Sequence, residues 1–177
     1  SVENAVGAVE HQLYAMPFVN IAVAAGPGGD AGALRKRLWN AAMNGQYPTL
    51  AEGPRDASTD RLAGIWFDFF STTRHWELEP YFDDGGGRAV ALELPREEEL
   101  EGVEYVVYAE KPGPVEIVLQ RQRYDVVWID PATGERSKRG QLRGDRFKAD
   151  TPGAAHDWVL HISRESKKAG MLRSYKF

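Results

Sequence analysis

Gly26, Gly28 and Ala31 follow one another as G-x-G-x-x-A, behind a β-branched run and ahead of a helical pattern. Glu52 lies about 24 residues beyond Gly28, where a dinucleotide site places its ribose-binding acid. Against that chemistry, Pro27 removes an amide that would face a pyrophosphate. The strands needed to complete a doubly wound sheet are also missing. A glycine-rich turn between strand and helix is the plainer reading. His11, His75, His156 and His161 show no i,i+4 pair and no carboxylate at ligand spacing, so no metal site is expected. No serine sits in a G-x-S-x-G turn, which leaves no nucleophile elbow. No cofactor is expected. The acidic run at 96–104 reads as a solvated loop and the basic end at 163–177 as a solvated tail.

Two groups of residues are better placed for recognition. Tyr105, Tyr108, Tyr124 and Trp128 fall in two strand-like runs, "VEYVVYA" and "YDVVWID". If their rings line one solvent-facing side of a sheet, they offer an apolar platform with polar edges, suited to a sugar or an extended chain. The alternation in both runs predicts one buried and one exposed face. The second group is "VVWIDPATGERS", residues 126–137. Here Asp130 can accept turn amides, Pro131 presets φ, Thr133 adds a hydroxyl, and Gly134 can take the left-handed conformation that closes a bulge. These four residues predict a structural hairpin that needs no ligand.

The elements that must position these groups follow two grammars. Val2, Ala5, Val6, Val9 and Leu13 sit at helical spacing over 2–15, and "FVNIAVA" (18–24) reads as a buried strand. Asp30 is placed to cap a helix running to Asn44, with Leu34, Leu38, Trp39 and Ala42 on its apolar face. A short strand at 47–53 is followed by a helix over 59–75, opened by a capping serine and lined by Leu62, Ile65, Trp66, Phe69 and Phe70. From about residue 76, short strands follow one another: 76–79, 88–94, 103–109, 114–119, 124–130, 135–142, 145–149 and 157–163. Clusters of Gly, Pro and Asp separate them. The expected class is α+β: an N-terminal helical segment with one or two strands (1–80), then an antiparallel β-sandwich (81–165), then a tail (166–177).

The bulk composition narrows the partners. The formal charge is −4, from 22 basic and 26 acidic residues, too weak a field to predict nucleic-acid or anionic-membrane binding. The chain has no cysteine, so neither a disulfide framework nor a thiolate metal site is available. No apolar run is long enough to span a bilayer and no signal-peptide layout opens the chain. A first residue of Ser1 suggests processing or a piece of something longer.

"VVWIDPATGE", followed by "RFKADTPGAAHDWVLHI", resembles the small C-terminal β-domain described as the collagen-binding domain of a collagenase. The resemblance rests on Trp128, Asp130, Pro131, Thr133 and Gly134, then Pro152, Asp157, Trp158, Val159 and Leu160, and covers roughly residues 86–163. Such domains usually follow a TIM-barrel module of glycoside-hydrolase type. The first half is similar to the end of such a barrel: "FVNIAV" as a late strand, "ALRKRLWNAAMNGQYPTLAEG" as helix and final strand, 59–75 as closing helix. Its signature is the R-x-x-x-W-x-A-x-x-x-G pattern, Arg35 to Gly45.

What the resemblance implies can be weighed against the residues. Glycoside hydrolysis uses two carboxylates roughly 5–10 Å apart, carried in a TIM barrel at C-terminal strand ends. The strand where a barrel relative would carry a functional Glu reads "IAVAAG", with Ala22, Ala24 and Ala25. Glu52 is the one carboxylate at a plausible strand end, a candidate remnant of a barrel site, with a surface-loop residue as the plainer reading. Two strands cannot close an eight-stranded barrel, so this chain alone is not expected to hydrolyse glycosides. The leading expectation is a non-catalytic accessory module of a glycoside-hydrolase-like protein, binding polysaccharide or collagen-like material. A second reading is the C-terminal fragment of a TIM-barrel glycoside hydrolase whose catalytic acids lie on a missing N-terminal part. A third is a structural or dimerisation domain with a homo-oligomer partner. A secreted or periplasmic setting follows from the resemblance alone.

Overall fold

The computed structural model describes residues 18–20, 30–50, 56–73, 75, 78–81, 89–93 and 104–164. The helix expected over 2–15, the Gly26–Gly28 turn, Glu52, the 81–88 boundary beyond Tyr81, the acidic run up to residue 103 and the tail lie outside them. The class is α+β, with two helices on the N-terminal side and an antiparallel sheet.

Strand β1 (Phe18–Asn20), helix α1 (Ala31–Met43) and strand β2 (Gln46–Pro48) form a βαβ unit. The two strands are parallel, with Phe18 opposite Gln46 and Asn20 opposite Pro48. Parallel neighbours need a crossover, and the helix supplies it. Asp30 opens α1 as expected, its Oδ1 accepting from the Gly32 amide at 2.8 Å. Asn44 closes it, with its amide on the Asn40 and Ala41 carbonyls at 3.1 Å. Helix α2 (Ala57–Ser71) is capped by Asp56, whose Oδ1 accepts the Thr59 amide at 2.8 Å. The expected capping serine, Ser58, instead donates its hydroxyl to that carboxylate. An aspartate one step outside the helix reaches the free amides better than a hydroxyl already inside the first turn.

The remaining elements among the described residues are six strands: β3 (Glu79–Tyr81), β4 (Ala89–Glu93), β5 (Glu104–Ala109), β6 (Pro114–Ile129), β7 (Gly140–Asp150) and β8 (Trp158–Ser163).

 All six lie in a single antiparallel sheet, in the order β3-β4-β5-β8-β6-β7. β8, last in the chain, is inserted between β5 and β6, pairing Tyr108 with Val159 on one side and Trp128 with Leu160 on the other. The two-sheet sandwich therefore resolves, among the described residues, into one sheet. Strands expected separately at 114–119 and 124–130 are the single strand β6, and the expected 145–149 strand lies within β7. Between Val118 and Gln122 the register shifts: four steps on β6 face two on β7, Arg146 to Gly144. This bulge bends the hairpin so that Val115, Ile117 and Leu119 share a cluster with Tyr105, Val107, Leu160 and Ile162.

The opposite side of the sheet carries the helices. Trp39, Ala42 and Met43 of α1 and Phe69 and Phe70 of α2 pack with Val106, Tyr108, Ile129 and Val159. Trp39 is 5.3 and 5.5 Å from the rings of Phe69 and Phe70 and 6.0 Å from Tyr108. β5 is consequently buried along its whole length, where the sequence alternation predicts one exposed face. The alternation assigns sides correctly, but both sides are covered.

Candidate functional site

Asp157 ends the loop before β8 and is completely buried, at the junction of α1 with the sheet. A buried carboxylate is stable only if its charge is met and its lone pairs are filled. Arg35, on the first turns of α1, does both: its Nε donates to Oδ1 at 3.0 Å and to Oδ2 at 3.1 Å, and its Nη2 donates to Oδ1. Tyr108 of β5 donates its hydroxyl to Oδ2 at 2.7 Å. The Asp157 hydrogen bond pushes the Arg35 pKa above its ordinary value. Burial, and then the Asp157 charge, push the Tyr108 hydroxyl well above the usual phenol range. Next to this pair, His156 stacks on Trp158 with centroids 5.4 Å apart, and its Nε2 lies 3.5 Å from Asp130 Oδ2. The seam thus joins α1, β5, β8 and the 130–134 turn through side chains that are each already occupied. It positions elements. It offers no free acid or nucleophile to a substrate.

A second buried pair lies on the same side of the sheet. His161 Nε2 is 2.6 Å from Glu104 Oε1, and the Phe69 ring meets the imidazole edge-on at 5.4 Å. Among the described residues no group of three His, Cys, Asp or Glu side chains converges as a metal would require. No helix among them is long and apolar enough to cross a membrane.

The four aromatic candidates for a binding platform do not line a solvent-facing side of the sheet. Tyr105, Tyr108 and Tyr124 expose 0–1% of their surface. Trp128 is half-buried against Phe147, with centroids 6.3 Å apart. The reason is that both faces of the sheet are covered, one by helices and one by the bent β6–β7 hairpin. The hydroxyls turn inward to the backbone instead: Tyr124 donates to the Gln120 carbonyl at 2.7 Å, and Tyr105 accepts from the Gln120 amide at 3.1 Å.

The Asp130–Gly134 stretch is a turn. Asp130 Oδ1 accepts from the amides of Ala132 and Thr133 at 2.7 and 3.3 Å, and its backbone carbonyl accepts from Gly134 at 2.8 Å. Thr133 Oγ1 accepts from the Glu135 amide at 3.1 Å. Gly134 has φ of 80°, and a Cβ there would lie 3.4 Å from Cγ1 of Ile65 on α2. Pro131 is buried. The turn therefore also rests on the helix, a contact the sequence does not signal. Glu52 lies outside the described residues.

Sequence reasoning missed the seam, although both partners stood in quoted motifs: Arg35 opens the R-x-x-x-W pattern and Asp157 opens "DWVL". Their separation of 122 residues concealed the pairing.

No known family's sequence profile matches this chain, and no curated protein matches it. Solved structures do share its fold. A structure described as a glycoside hydrolase superposes with a TM-score of 0.66 at 13% identity, over 93% of this chain and 47% of that one. A glycoside hydrolase family 5 structure from Bacteroides vulgatus ATCC 8482 gives 0.64 at 12% identity, over 77% of this chain and 37% of that one. The chain spans less than half the length of either.

Proposed function

We propose that this chain is the C-terminal portion of a TIM-barrel glycoside-hydrolase-like protein, comprising its last βα units and a β-domain docked against them. The observation that carries the reading is that one superposition runs over 93% of the chain, through both the βαβ unit and the sheet. Two further features support it. A parallel pair with a crossover helix has the form of a barrel-wall repeat, incomplete with two strands. The Arg35–Asp157 seam fixes such a repeat to the sheet. On this reading the catalytic acids are carried by barrel strands N-terminal to this segment, and the β-domain acts as a brace. The accessory-module reading, with polysaccharide or collagen-like material bound by the sheet aromatics, is less well supported, because three of the four rings are buried.

The test is the mass of the polypeptide in its native source, read by immunoblot with antibodies raised against this chain. The expected product is several hundred residues long and cleaves chromogenic aryl glycosides, whereas the 177-residue chain does not. A product near 19.7 kDa with no co-purifying N-terminal portion overturns the reading.

A further inference from the structure

The bulge that folds the sheet also gathers positive charge. Arg121, Gln122 and Arg123 of β6 and Arg143 and Gly144 of β7 line an open cleft of about 630 Å³. That volume falls within the roughly 300–1,000 Å³ typical of small-ligand sites. Arg123 and Arg143 face each other directly in register. Like charges in that position destabilise a sheet unless something neutralises them. Nearby on the same hairpin, neutralisation is present: Glu116 holds both Arg146 and Lys148. Among the described residues, none of the three cleft arginines has a carboxylate partner.

The cleft is also held in place from beneath. A bulge leaves backbone groups without ladder partners, and here tyrosines take them. Tyr81 donates to the Val118 carbonyl at 3.1 Å, while Tyr105 and Tyr124 clamp the Gln120 amide and carbonyl. Residues 121–123 therefore leave a fixed base, which lowers the ordering cost of binding. Gly144, with φ of 156°, has nothing within 4 Å of where a Cβ would stand, so a ligand can approach the backbone there.

We infer that this cleft binds the oxyanion group of an acidic oligosaccharide, a carboxylate or a sulfate. Guanidinium forks match both groups with paired hydrogen bonds. The lining carries no aromatic ring on which a nucleic-acid base could stack. The choice of a glycan rests on the function proposed above; the charge of the cleft does not.

Isothermal titration of the intact chain at low salt tests the inference. The probes are a short oligogalacturonate, its methyl ester, a sulfated oligosaccharide of equal length, inorganic sulfate and single-stranded DNA. Saturable binding of one or both acidic oligosaccharides is expected, and their relative affinity identifies the preferred group. Esterification should weaken binding at least about tenfold, as should Arg123→Gln with Arg143→Gln, since each removes a charged bidentate contact. Arg37→Gln, an exposed charge on α1 outside the cleft, should leave affinity unchanged, and circular dichroism verifies that the variants fold. The inference is overturned if ester and acid bind alike, if the arginine substitutions have no effect, or if neither acidic oligosaccharide binds. Sulfate ion binding as tightly as the glycans, or DNA binding more tightly through the same arginines, also overturns it. The native mass tests the hydrolase reading separately, so either idea can fail without the other.

Discussion

At Asp157 a carboxylate with no exposed surface depends on two donors from distant parts of the chain. Removing one partner of a buried pair leaves the other charge unpaired, at a cost of about 3–5 kcal/mol. Arg35→Ala is therefore expected to lower unfolding free energy by that order in urea titrations; a loss under about 1 kcal/mol would show that water reaches the carboxylate. The neighbouring hydroxyl gives a pH signature. Tyr108 has its pKa raised in the folded chain, by burial first and then by Asp157. In the unfolded chain it ionises near pH 10. Its contribution is thus fully present below about pH 10 and is lost as pH rises above that, because the unfolded state releases the proton first. Melting temperature should fall in alkaline solution, and fall less steeply in Tyr108→Phe, as followed by circular dichroism. The roles of Arg35 and Asp157 were not legible in the sequence. A lone arginine on a helix and a lone aspartate before a strand are ordinary surface residues until the fold joins them.

Among the elements, the turn between β6 and β7 and helix α2 give opposite responses to the same substitution. Gly134→Ala places a side chain at φ of 80° against Ile65, and should cost about 1–2 kcal/mol for the left-handed backbone alone. Gly64→Ala in α2 meets nothing within 4 Å and should stabilise by about 0.4–1 kcal/mol, by restricting the unfolded chain. Thermal melts of the two variants should move in opposite directions. The turn was legible because its chemistry is local: Asp130, Thr133 and Gly134 act on backbone groups within a few residues. The neighbouring strand was not. The polar run "QRQR" at 120–123 reads as a break between two strands, yet β6 continues through it. Tyrosines 81, 105 and 124 stabilise that bulge from elsewhere, and no local pattern reports them.

For the molecule as a whole, Trp39 is the common point of both helices and the sheet, and it exposes 1% of its surface. Helices and sheet should unfold together. Far-ultraviolet circular dichroism and tryptophan fluorescence are expected to give superimposable denaturant transitions. Trp39→Ala should lower stability by about 3–5 kcal/mol, through the cavity it leaves. Two separated transitions would mean that the βα segment and the β-domain are energetically independent, and the bracing role assigned to the seam would fail with them.

The sequence by itself determined what depends on near neighbours: the α1 cap at Asp30, the apolar faces of both helices, the strand-rich second half and the 130–134 turn. Spacing of 3.6 or 2 residues and turn chemistry act over short stretches of chain, so they can be read there. Only the tertiary structure decided what depends on which surfaces meet. Insertion of β8 between β5 and β6, the helices on one face and the bent hairpin on the other bury Tyr105, Tyr108 and Tyr124, so that three candidates for a solvent-facing platform are core. The same folding brings Arg35 to Asp157 and sets Arg123 opposite Arg143. Alternation tells which side of a strand a residue occupies; what covers that side is settled by distant segments.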